Sequence, residues 1–171
     1  MQHHDLIKQR TEINSGDLLV WSKDTRGRGK SSFFLNLVRL MTRSEYAHTA
    51  IAWRIDGRLF AIDATIPYVR LMPITNKDEF YHIPMNVAWD KNCEKFLLDK
   101  IGLSYSFLDG LRAFLGKTVE ENDDWQCAEL CTYFYREVGI ELGEAYTPSK
   151  VVKSAMSVRG TYLRKINTIP S

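Results

Sequence analysis

The sequence predicts an α+β domain in which an antiparallel sheet from the first half packs against a cysteine-bearing helix from the second. Three observations carry this expectation. β-rich runs crowd between Leu18 and Met85, Asp56-Gly57 divides two of them with the strongest short hairpin signal, and apolar residues beyond Asp90 recur at helical spacing. The 171 residues, 44% hydrophobic and 26% charged, suffice for one domain that buries its own core.

The elements follow in order. Residues 1–14 read as a polar tail, and residues 15–171 as a single domain. Ser15-Gly16-Asp17 is a turn into Leu18 to Trp21, an apolar run suited to a buried strand. A basic loop, Lys23 to Lys30, leads to a helix starting at Ser31 or Ser32, where Phe34, Leu37, Val38 and Met41 share a face. Ala47 to Ile55 and Arg58 to Ala64 form the hairpin. Tyr68 to Ile74 and Glu79 to Met85 are shorter strands, and Pro67, Pro73 and Pro84 mark edges or strand ends. Asp90 to Ile101, Ser106 to Leu115 and Cys127 to Val138 are helices, the last ending at Gly139. Acidic Glu120 to Asp124 is a loop, and Thr147-Pro148-Ser149 opens a final helix with Pro at an early position.

Composition narrows the function classes. Lys+Arg of 23 against Asp+Glu of 21 is too balanced to argue for a nucleic-acid or membrane partner. Three cysteines make no disulfide framework and suit a reducing compartment. The polar start and the lack of a long apolar run predict a soluble, cytosolic protein without a signal peptide or membrane span, although delivery by a carrier would leave no trace.

A site can be counted from the hairpin. A two-residue turn pairs Ile55 with Arg58, which sets Ala50 opposite Asp63 and puts His48 on the same face as Asp63, diagonally placed. Diagonal Cβ atoms lie roughly 7 to 8 Å apart, a gap that an imidazole and a carboxylate can close. On the later helix, Cys127, Leu130, Cys131, Phe134 and Val138 share an inward face, with Cys127 in the first turn. Free amides and the helix dipole there favour a thiolate, and the Cys127 amide is placed to stabilise an oxyanion. An N-cap at Asp124 would oppose that charge; a helix starting closer to Cys127 would not. Cys131 reads as core, and Cys93 has no evident partner. His3 and His4 read as solvated and His82 as structural.

The fragments resemble one family. Ser15-Gly16-Asp17-Leu18-Leu19, Thr42-Arg43-Ser44-Glu45-Tyr46-Ala47-His48, Phe60-Ala61-Ile62-Asp63-Ala64, Gly102-Leu103-Ser104-Tyr105 and Trp125-Gln126-Cys127-Ala128-Glu129-Leu130 resemble, in order, segments of the circularly permuted NlpC-type papain-like cysteine amidases and peptidases, particularly the YiiX-like branch. The branch often carries Glu where this chain has Asp63, and Asp where it has Ser106. The resemblance implies a permuted papain-like fold and a Cys127–His48–Asp63 triad, without cofactor or metal. It also implies cleavage of an amide or peptide bond through a thioester, while relatives with this arrangement also move lipid acyl chains. Tyr46, Trp53, Tyr68, Tyr105 and Trp125 are candidates to line a pocket for a peptide, amide or acyl-lipid substrate. Other readings are an inactive binding module on the same fold and a P-loop at Gly29-Lys30-Ser31, although Asp24 falls where that motif needs Gly. A zinc site of Cys127, Cys131, His48 and Asp63 is a further reading, but it lacks a close Cys or His knuckle.

Overall fold

Asp56 and Gly57 adopt φ of 47° and 75°, the left-handed pair that a two-residue hairpin turn needs, and they set the register of the sheet around them. The computed structural model describes residues 3–22, 25, 45–65, 67–104 and 126–169. Their elements, in chain order, are α1 (His3–Thr11), β1 (Leu18–Ser22), β2 (Tyr46–Ile55), β3 (Arg58–Thr65), β4 (Tyr68–Pro73) and β5 (Phe80–Ile83). After these come α2 (Lys91–Leu98), α3 (Cys127–Glu137), α4 (Pro148–Ala155) and β6 (Arg164–Ile166). The strands make one antiparallel sheet in the order β4-β3-β2-β1-β5-β6. The architecture is therefore α+β. The helices expected at residues 31–41 and 106–115, the basic loop apart from Thr25, and the acidic loop lie outside the described residues.

The pairing counted from the turn holds, from Ile55↔Arg58 to Ile51↔Ile62. β1 and β2 are apolar on both faces, and each face seeds a core. On one side Leu18, Val20, Ile51 and Ile62 pack against Leu130, Cys131, Phe134 and Tyr135 of α3. On the other, Leu19, Trp21, Ala50, Ala52, Ala61 and Phe80 enclose Ile13. Thr147 caps α4 by accepting from the Lys150 amide, with Pro148 in the first turn as expected. β4 is the outer strand that Pro73 ends.

Two segments differ from expectation. The stretch read as a polar tail forms α1 and docks on the sheet. Arg10 is buried; it donates to the carbonyls of Thr75, Asp78 and Asn167, and its guanidinium stacks over Phe80. A few buried positions in a charged stretch left no helical period to read. β6 also escaped notice because it is three residues long and begins Arg164-Lys165.

Candidate active site

β2 and β3 bring His48 and Asp63 together as the hairpin count requires. Nε2 of His48 lies 3.2 Å from Oδ2 of Asp63, with His48 6% and Asp63 0% exposed. Trp21 is opposite His48 in the β1–β2 ladder, its ring centroid 5.5 Å from the imidazole. Ser22 then pairs with Tyr46, so β2 carries one extra residue at Ala47. Such bulges re-aim neighbouring side chains, and this one adjoins His48.

α3 supplies Cys127 as its first residue. Its N-cap is Gln126, not Asp124, and Gln126 makes no side-chain capping bond. The Cys127 amide is thus among the first-turn amides that have no intrahelical acceptor. Burial disfavours a thiolate here, but the charge and hydrogen bonding of His48, with hydrogen bonding from Thr49, outweigh it and hold the Cys127 thiol below its ordinary value. Burial likewise opposes an imidazolium. The Cys127 charge and the hydrogen bond to Asp63 prevail, raising His48 to about 9. Because Asp63 occupies Nε2, Nδ1 is the ring nitrogen left for the thiol. The arrangement sets a lowered thiol beside a raised imidazole that is bonded to a buried carboxylate.

Cys131 lies one turn below. Burial pushes its thiol far up, in keeping with a core role. Burial raises Cys93 as well, on α2. Among the described residues, no three His, Cys, Asp or Glu side chains converge as a metal ion requires. These residues therefore do not fit the zinc reading. Gly29-Lys30-Ser31 lies outside the described residues, and the antiparallel strands around Asp63 are unlike the parallel sheet that leads into a P-loop.

Three of the candidate pocket residues are described, and they sit in different surroundings. Tyr46 is half-buried, edge-on to Tyr81. Tyr68, 53% exposed, opens β4 and bridges to Ser104. Trp53 is a correction: it alternates with His48 along β2 and is buried in the core against Trp89, because odd positions of β2 face α3. Tyr105 and Trp125 lie outside the described residues. The sequence reading missed Arg70, whose Nε lies 3.6 Å from Oδ1 of Asp63. Thr65 pairs with Tyr68, so the count used for the first hairpin would have placed Arg70 across from Asp63.

No protein-family model matches the chain, and no curated protein matches it. Among solved structures it is similar to the crystal structure of YiiX from Escherichia coli O157:H7, described as a metalloprotein. The TM-score is 0.60 and the identity 12%, over 90% of this chain and 97% of that one. The fold is YiiX-like. At that identity the likeness concerns the backbone alone. In the YiiX-like fold of this chain, the sheet and α3 are the elements that gather His48, Asp63 and Cys127. No helix among the described residues is long and apolar enough to cross a membrane.

Proposed function

We propose that the protein is a cysteine hydrolase of permuted papain-like arrangement that cleaves an amide or peptide bond through a thioester. The observation that carries this reading is the meeting of Cys127, at an uncapped helix start, with a His48 already bonded to Asp63. The Cys127 thiolate attacks the carbonyl carbon while the Cys127 amide faces the developing oxyanion. His48 then protonates the leaving amine as the carbon–nitrogen bond breaks, which yields the acyl-thioester. His48 next takes a proton from water; the hydroxyl attacks the thioester, the acid departs, and the thiolate is regenerated. Asp63 orients the imidazole throughout. Residues 15–171 act as one catalytic unit with α1 docked against it, in a cytosolic setting that keeps Cys127 reduced.

Iodoacetamide labelling across pH tests the reading on wild type, Cys127→Ala and His48→Ala. Labelling at Cys127 is expected to begin well below the ordinary thiol range near 8.5 and to move up toward it in His48→Ala. Ordinary titration indifferent to His48 would sink the proposal. Mass spectrometry of the trapped acyl-enzyme then separates a peptidyl adduct from a fatty acyl one.

A further inference from the structure

Asp63 is fully buried, and its two oxygens face different partners. Oδ2 meets His48 from β2, and Oδ1 lies 3.6 Å from Arg70 Nε on β4. Arg70 is directly cross-strand from Asp63, and its side chain is 43% exposed. We propose that Arg70 is a positioning residue for the Cys127 site, supplying the counter-charge that keeps Asp63 ionised and turned toward His48. This rests on the hydrolase reading given above.

A buried carboxylate without compensation takes up a proton, and a protonated Asp63 would no longer stabilise a cationic His48. Arg70 meets that need from the rim of the sheet, where its own charge remains partly hydrated. The 3.6 Å separation exceeds a hydrogen bond, so the requirement is for charge, not for the guanidinium fork. Lysine is therefore expected to substitute and glutamine to fail. Among the described residues, Cys131 of α3 also faces the charge of Asp63 and stays protonated. Arg70 is a cation whose charge favours an ionised Asp63 independently of the state of the Cys127 thiol.

The sign of one measurement decides the matter. If Arg70 were only a nearby positive charge, removing it would make His48 easier to protonate. If it holds Asp63 ionised, removing it makes His48 harder to protonate. NMR titration of His48 in the full chain, in wild type, Arg70→Gln and Arg70→Lys, reads this directly. The midpoint, about 9 in the intact protein, is expected to fall by on the order of one pH unit in Arg70→Gln and to stay in place in Arg70→Lys. An unchanged or raised midpoint in Arg70→Gln, or a fall in Arg70→Lys equal to that in Arg70→Gln, overturns the proposal. If Arg70→Gln does not fold, Arg70→Met, which keeps the apolar stem without the charge, takes its place: a lowered midpoint supports the charge role and an unchanged or raised one overturns it. Alkylation of wild-type Cys127 reports separately on the hydrolase reading, so either idea can fail without the other.

Discussion

The chemistry of a single imidazole sets the pH behaviour of this site. His48 rises from an ordinary 6.5 to about 9, because the charge of Cys127 and the bond to Asp63 overcome its burial. Its contribution to folding stability is thus complete below about 6.5 and is lost as pH climbs through about 9. Cys127 moves the opposite way, so its contribution is present above its ordinary 9.0 and is lost as pH falls through the lowered value. The ion pair exists between the two. Hydrolysis needs the thiolate for attack and the imidazolium for leaving-group protonation, so turnover is expected to plateau between these limits and decline through about 9. A pH–rate profile on a peptide or ester substrate checks this; a rate still climbing beyond pH 9 would mean that His48 does not act as the acid.

At the scale of elements, the backbone of Gly16 links α3 to the sheet. Gly16 donates to the Ala52 carbonyl of β2 and accepts from the Tyr135 hydroxyl of α3, both at 2.9 Å. Burial keeps that phenol protonated and able to donate. Gly16 sits at φ 89°, and an added Cβ would lie 2.6 Å from Val87 Cβ, an atom with no rotamer to escape into. Gly16→Ala is expected to cost about 2 kcal/mol or more, which lowers the melting midpoint by roughly 4–8 °C in a chain of this size. Calorimetry showing no change would mean that the turn tolerates a side chain. The elements most legible in the sequence were those with local punctuation: the Asp56-Gly57 turn, the Thr147-Pro148-Ser149 start of α4, and Gly139 after α3. What stayed hidden depends on tertiary contact. Arg10 in α1 is buried by partners as far along the chain as Asn167, Trp53 reads as a pocket aromatic until the faces of β2 are assigned, and Arg70 matters only once β4 is in register.

At the scale of the whole molecule, the described residues include two buried His–Asp pairs along the sheet, and their surroundings differ: one has Cys127 as a neighbour and the other does not. Near one edge, Asp63 and His48 are 3.2 Å apart; toward the other, Asp17 and His82 are 2.8 Å apart. Each pair has an arginine on a neighbouring outer strand, but the arginines meet opposite members. Arg70 faces the carboxylate, not the imidazole. Arg164 instead donates to Nδ1 of His82 and also bonds Glu12, so that Nε2–H of His82 is committed to Asp17. Asp17 further accepts from the amides of Asn14 and Met85. The second pair is therefore a closed network that ties β5, β6 and the end of α1 to the turn before β1. Breaking it leaves a buried carboxylate short of a partner, so His82→Ala is expected to lower unfolding free energy by about 1–3 kcal/mol. The pH profile of Cys127 alkylation should remain at its wild-type position, because His82 lies across β1 from the site. His48→Ala should do the reverse and shift that profile, because His48 is what lowers the Cys127 thiol. Denaturant unfolding and alkylation measured on the same two variants test the division. If His82→Ala displaced the thiol profile as far as His48→Ala does, the two pairs would have to be one coupled system instead of a structural and a chemical one.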